Sequence, residues 1–260
     1  MSAGAKPVFE RISYAPIGWI RTPFQERFGV PRQPGLAPSA RGRIELKSHY
    51  FSQTDLKNSL KGLEAFTHLW VIFHFHDAGL DQEARTWKPS IRPPRLGGAK
   101  KVGVLGSRSP HRPNPIGLSV VRIEKILLDD PNGPTIEVSG VDLLDQTPVL
   151  DIKPYLAYCD SVADANDGWT PALSTPMTTR WTDAATADLT RLVKSEKRAA
   201  TRQLIEEILA LDPRPAFQRT DPPGADYGFT IAGLDVKWRS ADEAFTITGI
   251  VPDTRHAPLD

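Results

Sequence analysis

Short apolar segments recur through the first 160 residues, and no long amphipathic helix separates them. In residues 67–76, apolar residues at every second position alternate with histidine, tryptophan and isoleucine. Strict alternation is typical of a strand with one buried face. Because parallel sheets need helical crossovers between their strands, the pattern argues against a doubly wound α/β fold and favours an antiparallel barrel or sandwich.

The remaining elements divide the chain into two parts. Further strands are predicted at residues 12–22, 43–46, 101–105, 118–127 and 135–141. A small helix is predicted over residues 54–60 with Thr54 as its N-cap. A polar connector (163–177), two helical stripes (183–211, capped by Asp183) and strands at 229–231, 236–238 and 245–251 follow. We therefore predict a mainly β protein: a β-barrel-like domain over residues 1–160 and a small α+β domain over residues 161–260.

Charge is concentrated in one part of the chain. The formal net charge is only +1, so the whole molecule does not attract a polyanion. Between Glu83 and Glu124, however, there is no acidic residue, and nine lysines and arginines occur. These are Arg85, Lys88, Arg92, Arg95, Lys100, Lys101, Arg108, Arg112 and Arg122. The segment predicts a phosphate-binding surface; the alternative is a solvated loop balanced by acids elsewhere.

The cysteine content indicates a compartment. Cys159 is the single cysteine, which excludes an internal disulfide framework and suits a reducing environment. No secretory signal is visible, and the most apolar stretch, residues 69–75, is too short to span a bilayer. We expect a cytosolic protein.

The densest group of polar side chains lies in residues 106–117. Prolines at three of the six positions 110–115 stiffen this loop, which displays Arg108, His111, Arg112 and Asn114. A rigid loop with several polar side chains is typical of a binding site; the alternative is a structural crossover. In residues 28–36, Pro34-Gly35 predicts a type II turn that can bring bare backbone close to a ligand. The alternative, favoured when this segment is taken alone, is an ordinary surface turn.

Two other groups of side chains are candidates for metal binding or catalysis. His68, His74 and His76 share one face of the predicted strand, but no cluster of cysteines or acids accompanies them. We therefore predict no metal site. Asp151 and Lys153 share one face of an extended segment, so Asp151 is either paired with a neighbouring cation or functional.

The longer motifs of the chain resemble the TsaA-like family, whose bacterial members are tRNA (adenine-37-N6)-methyltransferases. The matching segments occur in the same order along nearly the whole chain: residues 30–36, 62–66, 68–70, 92–98, 108–117, 151–155 and 212–216. The resemblance implies a β-barrel methyltransferase fold that is not Rossmann-like, S-adenosylmethionine as the cofactor, and a homodimer with its cofactor cleft near the subunit interface. It further implies methylation of N6-threonylcarbamoyladenosine in the anticodon loop of a threonine tRNA.

Transferred by position, the resemblance also implies a set of site residues. The cofactor contacts would be Pro34, Gly35, Leu36, His76, Asp77, Arg108, Val120, Pro148, Val149, Leu150 and Asp151. From the chemistry of the reaction, the candidates for a general base or an orienting acceptor are Asp151 first and His76 second. The candidates for tRNA contacts are Arg32, Arg92, Arg95, Arg112 and Asn114.

The residues alone leave other functions open. A non-catalytic RNA-binding module would use the same basic loop without a cofactor. A methyltransferase of the same fold would act on a small-molecule acceptor instead of tRNA. A zinc hydrolase is a weaker third hypothesis, because the histidines have no visible companion ligands and no Gly-x-Ser-x-Gly motif occurs.

Overall fold

The strands of the first half pair into a closed barrel, and burial alternates along several of them. The computed structural model describes residues 12–47, 51–77, 87–93, 96, 100–170, 175–241 and 244–256. The six barrel strands are β1 (Gly18–Arg21), β2 (Arg41–Leu46), β3 (His68–His74), β6 (Ile116–Leu127), β7 (Thr135–Ser139) and β8 (Thr147–Pro154). They pair in the order β1-β2-β7-β6-β3-β8, and every pair is antiparallel. The predicted β-barrel architecture is thus confirmed.

Strand β3 shows how the pattern determines the barrel interior. Leu69, Val71 and Phe73 are buried, and the alternate residues are only partly buried. Because Cβ atoms alternate across a strand, the first set faces the core. His76, predicted to share the opposite strand face with His68 and His74, instead lies in a turn after the strand.

Strand β8 contains a β-bulge that changes which residues face outward. Val149 pairs with Phe73, but Asp151 pairs with Ile72, so Leu150 is an extra residue on β8. Before the bulge, Thr147 and Val149 are buried. After it, Asp151 shares the outer face with Ile72, because directly paired residues point to the same side of a sheet.

Three shorter elements connect the barrel strands. Helix α1 (Gln53–Ser59) follows β2, and the ribbon of β4 (Ser90–Ile91) and β5 (Val102–Gly103) precedes β6. The prediction of Thr54 as the helix cap was wrong. Ser52 is the N-cap and forms a reciprocal capping box with Asp55, which satisfies two backbone donors at once.

The second half forms a separate sheet with two helices. Strands β9 (Thr178–Trp181), β10 (Asp226–Ile231), β11 (Leu234–Ala241) and β12 (Ala244–Pro252) pair in the order β10-β11-β12-β9. The predicted helical region forms α3 (Asp183–Leu192) and α4 (Ser195–Ala210); a four-residue helix, α2 (Ala157–Asp160), lies before β9. Thr182, not Asp183, caps α3 through its side chain. Strand β9 was not predicted, because it is short and pairs in parallel with the distant β12.

The two halves share one hydrophobic core. The buried apolar cluster runs from barrel residues such as Ile44 and Val71 to Ile205, Phe229 and Trp238 of the second half. The predicted domain division at residue 160 is not tested by this continuity and stays a prediction. In the part of the chain that the structure describes, no helix is both long and apolar enough to cross a membrane.

Candidate functional site

Four segments meet at one end of the barrel. They are the β1–β2 loop (residues 22–40), the turn after β3 (75–77), the proline loop (106–115) and the β7–β8 connection (140–146). Each of them leaves or enters the barrel at the same edge, because β3 ends where β6 and β8 begin. Residues that are far apart in the sequence therefore lie close together here.

Two glycines bring the β1–β2 loop against the β7–β8 connection. The Gly35 amide donates to the Gly140 carbonyl over 2.9 Å, and both residues have a φ of +75°. A Cβ on Gly140 would lie 3.3 Å from the Gly35 Cα, whereas a Cβ on Gly35 would meet nothing within 4 Å. Gly35 lies between Pro34 and Leu36. Because it has no side chain, its backbone faces open space at this turn.

Arg108 connects the proline loop to the same place. Its guanidinium donates to the Gln33 side chain over 2.5 Å. Arg108 is also close enough to Asp142 for its charge to affect that carboxylate. Burial raises the pKa of Asp142 to about 6, although a 2.6 Å hydrogen bond from the Ser119 hydroxyl and the charge of Arg108 both oppose the shift.

The turn after β3 adds imidazole and a carboxylate. The Nδ1 atom of His76 lies 3.4 Å from the Thr147 hydroxyl at the start of β8. Asp77 forms an ion pair with Arg27 over 2.7 Å, and both side chains are more than half exposed. Desolvation first, and then the charge of His76, lower the pKa of His74 below its usual value.

The other β8 candidates lie further along the strand. Pro148 pairs with Trp19, and Val149 is fully buried in the barrel core, so the Val149 side chain faces away from solvent. Leu150 occupies the bulge. Asp151 lies on the outer face, where its carboxylate is 3.3 Å from the ammonium of Lys153.

The outer face of β3, β6 and β8 is apolar around Asp151. Val120 pairs with Trp70, and Leu118 pairs with Ile72. Leu118 is 52% exposed and Ile116 is 41% exposed, which is high for large apolar side chains on neighbouring positions of one strand face. Asp151 therefore borders an exposed apolar surface.

The candidate tRNA contacts that the structure describes differ in their surroundings. The Arg32 guanidinium donates to the Arg214 carbonyl over 3.2 Å, and Arg112 donates to the Ser107 carbonyl of its own loop over 3.1 Å. Arg92 and Asn114 are exposed. Arg95 lies outside the described residues. Among the residues that the structure describes, no group of three or more histidine, cysteine or acidic side chains is arranged to hold a metal ion.

Comparison with known proteins identifies the family. The family model described as the tRNA-methyltransferase O N-terminal domain matches residues 19–161. The model described as the TrmO C-terminal domain matches residues 174–253. The chain belongs to the tRNA-methyltransferase O family.

Relatives of this family align over most of both chains. A Pseudomonas aeruginosa protein named putative S-adenosylmethionine-dependent methyltransferase RcsF is 44% identical over 226 residues, which cover 87% of this chain and 91% of the relative. An Escherichia coli K12 protein named tRNA (adenine(37)-N6)-methyltransferase is 39% identical over 237 residues, 91% of this chain and 96% of the relative. The crystal structure of TrmO from P. aeruginosa superposes with a TM-score of 0.71 at 36% identity, covering 93% and 99% of the two chains.

One candidate residue at this end of the barrel of the tRNA-methyltransferase O family member was not predicted from the sequence. Asp142 lies in a stretch of ordinary apolar and acidic residues, and its hydrogen-bond donor, Ser119, is distant along the chain. A mostly buried carboxylate beside an arginine is characteristic of functional sites. No sequence pattern singled out Asp142, because the left-handed φ of Gly140, two residues earlier, is a property of the folded chain.

Proposed function

We propose that this chain is an S-adenosylmethionine-dependent tRNA methyltransferase that methylates N6 of the adenine at position 37. More narrowly, we propose that the acceptor is N6-threonylcarbamoyladenosine in a threonine tRNA, so that the product is m6t6A. The printed names of the relatives support the broader statement. The structural observation that carries it is the junction of Arg108, Gln33 and Asp142 beside the Gly35 turn.

The residues at this junction fit the cofactor chemically. S-adenosylmethionine supplies an activated methyl group on a sulfonium, together with an ammonium and a carboxylate. Asp142 offers a carboxylate for the positive groups, and Arg108 offers a forked donor for the carboxylate. The open space over Gly35 admits close contact with backbone. Pro34 and Leu36 would form the walls of this turn.

The acceptor nitrogen needs help from the protein. N6 of the carbamoylated adenine is ureido-like, so its lone pair is delocalised, and loss of its proton would restore its nucleophilicity. Asp151 is our first candidate to accept or orient this proton, and His76 is the second. Holding donor and acceptor in line supplies up to about 7–11 kcal/mol of barrier lowering in comparable intramolecular reactions. The proposed role of this barrel end is therefore mainly alignment.

The position of Asp151 supports a homodimer as the functional form. Asp151 lies on the outer face beside the exposed Leu118 and Ile116. A second copy of the chain covering this apolar surface would enclose Asp151 in a cleft between subunits, next to the cofactor-binding end. Sedimentation of wild type and Leu118→Arg tests this: a dimer that the variant turns into a monomer is expected, and a monomeric wild type would contradict the proposal.

We propose that the basic segment binds the anticodon stem and loop. Arg32, Arg92 and Arg95 would contact backbone phosphates, and Arg112 and Asn114 would contact the threonine carboxylate of the modified base or a phosphate. Contacts to phosphates release counterions, so tRNA affinity should fall steeply as salt rises. An affinity that does not change between low and high salt would contradict this surface. We also propose a cytosolic location.

One assay tests the proposed activity directly. Purified protein is incubated with S-adenosylmethionine and tRNA from cells that make N6-threonylcarbamoyladenosine, and the nucleosides are analysed by mass spectrometry. We expect a mass increase of one methyl group on that nucleoside, in threonine tRNA. A titration with labelled cofactor accompanies the assay, since a non-catalytic RNA-binding protein would not bind it. Methylation of a small metabolite with unchanged tRNA would instead favour a different acceptor.

The role of Asp151 has its own test. Asp151→Asn keeps the shape of the side chain but removes its basicity, so cofactor affinity should stay close to wild type while turnover slows. Lys153→Met is the matched control, because it removes the partner of Asp151 and leaves the carboxylate in place. Full activity of Asp151→Asn would remove this residue from the mechanism.

A further inference from the structure

The β1–β2 loop carries the Gly35 turn. The C-terminal end of this loop is hydrogen-bonded to the second half of the chain. The backbone amide of Ser39 and its hydroxyl both donate to one carboxylate oxygen of Glu207, over 2.9 and 2.6 Å. Glu207 lies on α4, far along the chain from Ser39. Hydrogen bonds to an ionised acceptor are stronger than those between neutral groups. This pair therefore fixes the loop four residues after Gly35.

A second bond fixes the beginning of the loop. The carboxylate of Glu26 accepts the backbone amide of Thr230 over 2.9 Å and forms an ion pair with Arg255 at 3.4 Å. The Ala232 amide also donates to the Pro23 carbonyl over 2.8 Å. The loop residues thus accept hydrogen bonds from backbone amides at the end of strand β10, where the sequence predicts a strand over residues 229–231.

Between these two points the loop packs directly on the second sheet. Gly29 has a φ of +93°, and a Cβ at this position would lie 3.1 Å from the ring of the buried Phe229. Arg32 donates to the Arg214 carbonyl. The opposite side of the loop contacts the barrel through the bond between Gly35 and Gly140. The loop is consequently held between the two halves of the molecule.

We infer that the second half of the chain, residues 175–256, positions the β1–β2 loop for cofactor binding, with Glu207 and Ser39 as positioning residues. The inference rests on the proposed function, because the loop matters only if it forms part of the cofactor site. Glu207 does not touch the Gly35 turn itself. It acts through Ser39, and it keeps the turn against Gly140 while the side facing open space remains free.

The test uses two adjacent glutamates of α4 in the full-length protein. Glu207→Ala removes the acceptor of Ser39, whereas Glu206→Ala is the matched control. Glu206 accepts hydrogen bonds from Trp181 and Arg202, both within the second half. Three experiments are performed on each variant. Calorimetry gives the dissociation constant of S-adenosylmethionine, steady-state kinetics gives KM for the cofactor and kcat, and hydrogen exchange follows the amides of residues 33–40.

We expect Glu207→Ala to weaken cofactor binding about fivefold to tenfold and to raise KM with little change in kcat, since the lost interaction supports binding in the ground state and transition state alike. The loop amides should exchange faster. Glu207→Gln, which keeps an acceptor oxygen without charge, should restore most of the affinity, which would separate positioning from an electrostatic effect. Glu206→Ala should lower stability without changing the cofactor affinity.

Three results would overturn the inference, in distinguishable ways. If wild type binds cofactor and Glu207→Ala binds it equally well, the loop does not depend on α4 and the inference is wrong while the proposed function stands. If wild type itself binds no cofactor, the proposed function fails, and the inference fails with it. Equal losses in Glu207→Ala and Glu206→Ala would also contradict positioning through Ser39, because a general loss of stability would explain both.

Discussion

The β1–β2 loop and the proline loop line the same end of the barrel but are ordered in different ways. The β1–β2 loop is held from outside, by Gly140 of the barrel on one side and Glu207 of α4 on the other. The proline loop is ordered mostly from within, by its prolines and by local bonds such as that from Arg112 to Ser107. Its link to the neighbouring loop runs through Arg108. The first loop is suited to a fixed ligand pocket, and the second to displaying charged side chains.

The largest expected effect concerns Asp142, which lies between the two loops. A pKa raised from 3.8 to about 6 means that the native state holds the proton more tightly than the unfolded state. Ionisation of Asp142 therefore destabilises the fold, and this penalty grows as pH rises from about 4 to 6. We expect Asp142→Asn to be more stable than wild type by roughly 3 kcal/mol at pH 8, with a difference that vanishes near pH 4.

Urea unfolding of both proteins at pH 4, 6 and 8 measures this difference. Asp151→Asn is the control, because that carboxylate is half-exposed beside Lys153 and its replacement should change stability by less than about 0.5 kcal/mol. A stability difference between Asp142→Asn and wild type that stays constant over this pH range would show that ionisation of Asp142 does not destabilise the native state.

The next largest effect is expected when the contact between the β1–β2 loop and the barrel is disturbed at Gly140. Gly140→Ala places a Cβ 3.3 Å from the Gly35 Cα in a left-handed conformation that costs a non-glycine residue about 1–2 kcal/mol. We expect a stability loss of about this size and a roughly tenfold loss of cofactor affinity, equivalent to about 1.4 kcal/mol. Calorimetry and thermal unfolding measure the two quantities.

Gly62→Ala serves as the comparison for Gly140→Ala. Gly62 also has a positive φ, of +88°, but a Cβ there would meet nothing within 4 Å. It should therefore lower stability to a similar degree and leave cofactor affinity unchanged. Unchanged affinity in Gly140→Ala would mean that the contact between Gly35 and Gly140 does not shape the pocket.

The smallest effect separates two arginines of the proline loop. Arg108→Ala removes the bond to Gln33, so cofactor affinity should fall about threefold to tenfold. Arg112→Ala removes only a hydrogen bond within the loop, so cofactor affinity should stay constant. The tRNA affinity should fall, and the slope of its logarithm against the logarithm of salt concentration should become shallower by about one. Binding assays with each ligand decide between them; identical profiles for the two variants would contradict the distinction.

Local sequence patterns predicted the barrel, because several of its strands carry an apolar pattern of their own and no long helix separates them. Strand β3 and the helices of the second half follow directly from the spacing of their apolar residues. The errors arose where the determining contact is specific or distant. Ser52 and Thr54 are both suitable caps, and only the reciprocal bond to Asp55 selects the first.

The candidate site was less accessible to such reasoning. The family resemblance indicated the segments, and the structure brings the Gly35 turn, Arg108 and His76 to one end of the barrel. Asp142 lies in the β7–β8 connection and its hydrogen-bond donor Ser119 lies on β6, so no local pattern announces this contact. The bonds from Ser39 to Glu207 were equally invisible, because polar residues on an exposed helix face usually contact only water.

The single additional residue at Leu150 determines what the outer surface of the barrel offers to another molecule. Had the pairing of β8 continued without interruption past Val149, Asp151 would stand opposite Val71 and its carboxylate would be directed into the apolar interior. An insertion of one residue thus reverses the orientation of everything that follows it in the strand. A change of one residue in strand length can therefore place a carboxylate on the surface of a barrel or take it away, while the architecture is preserved.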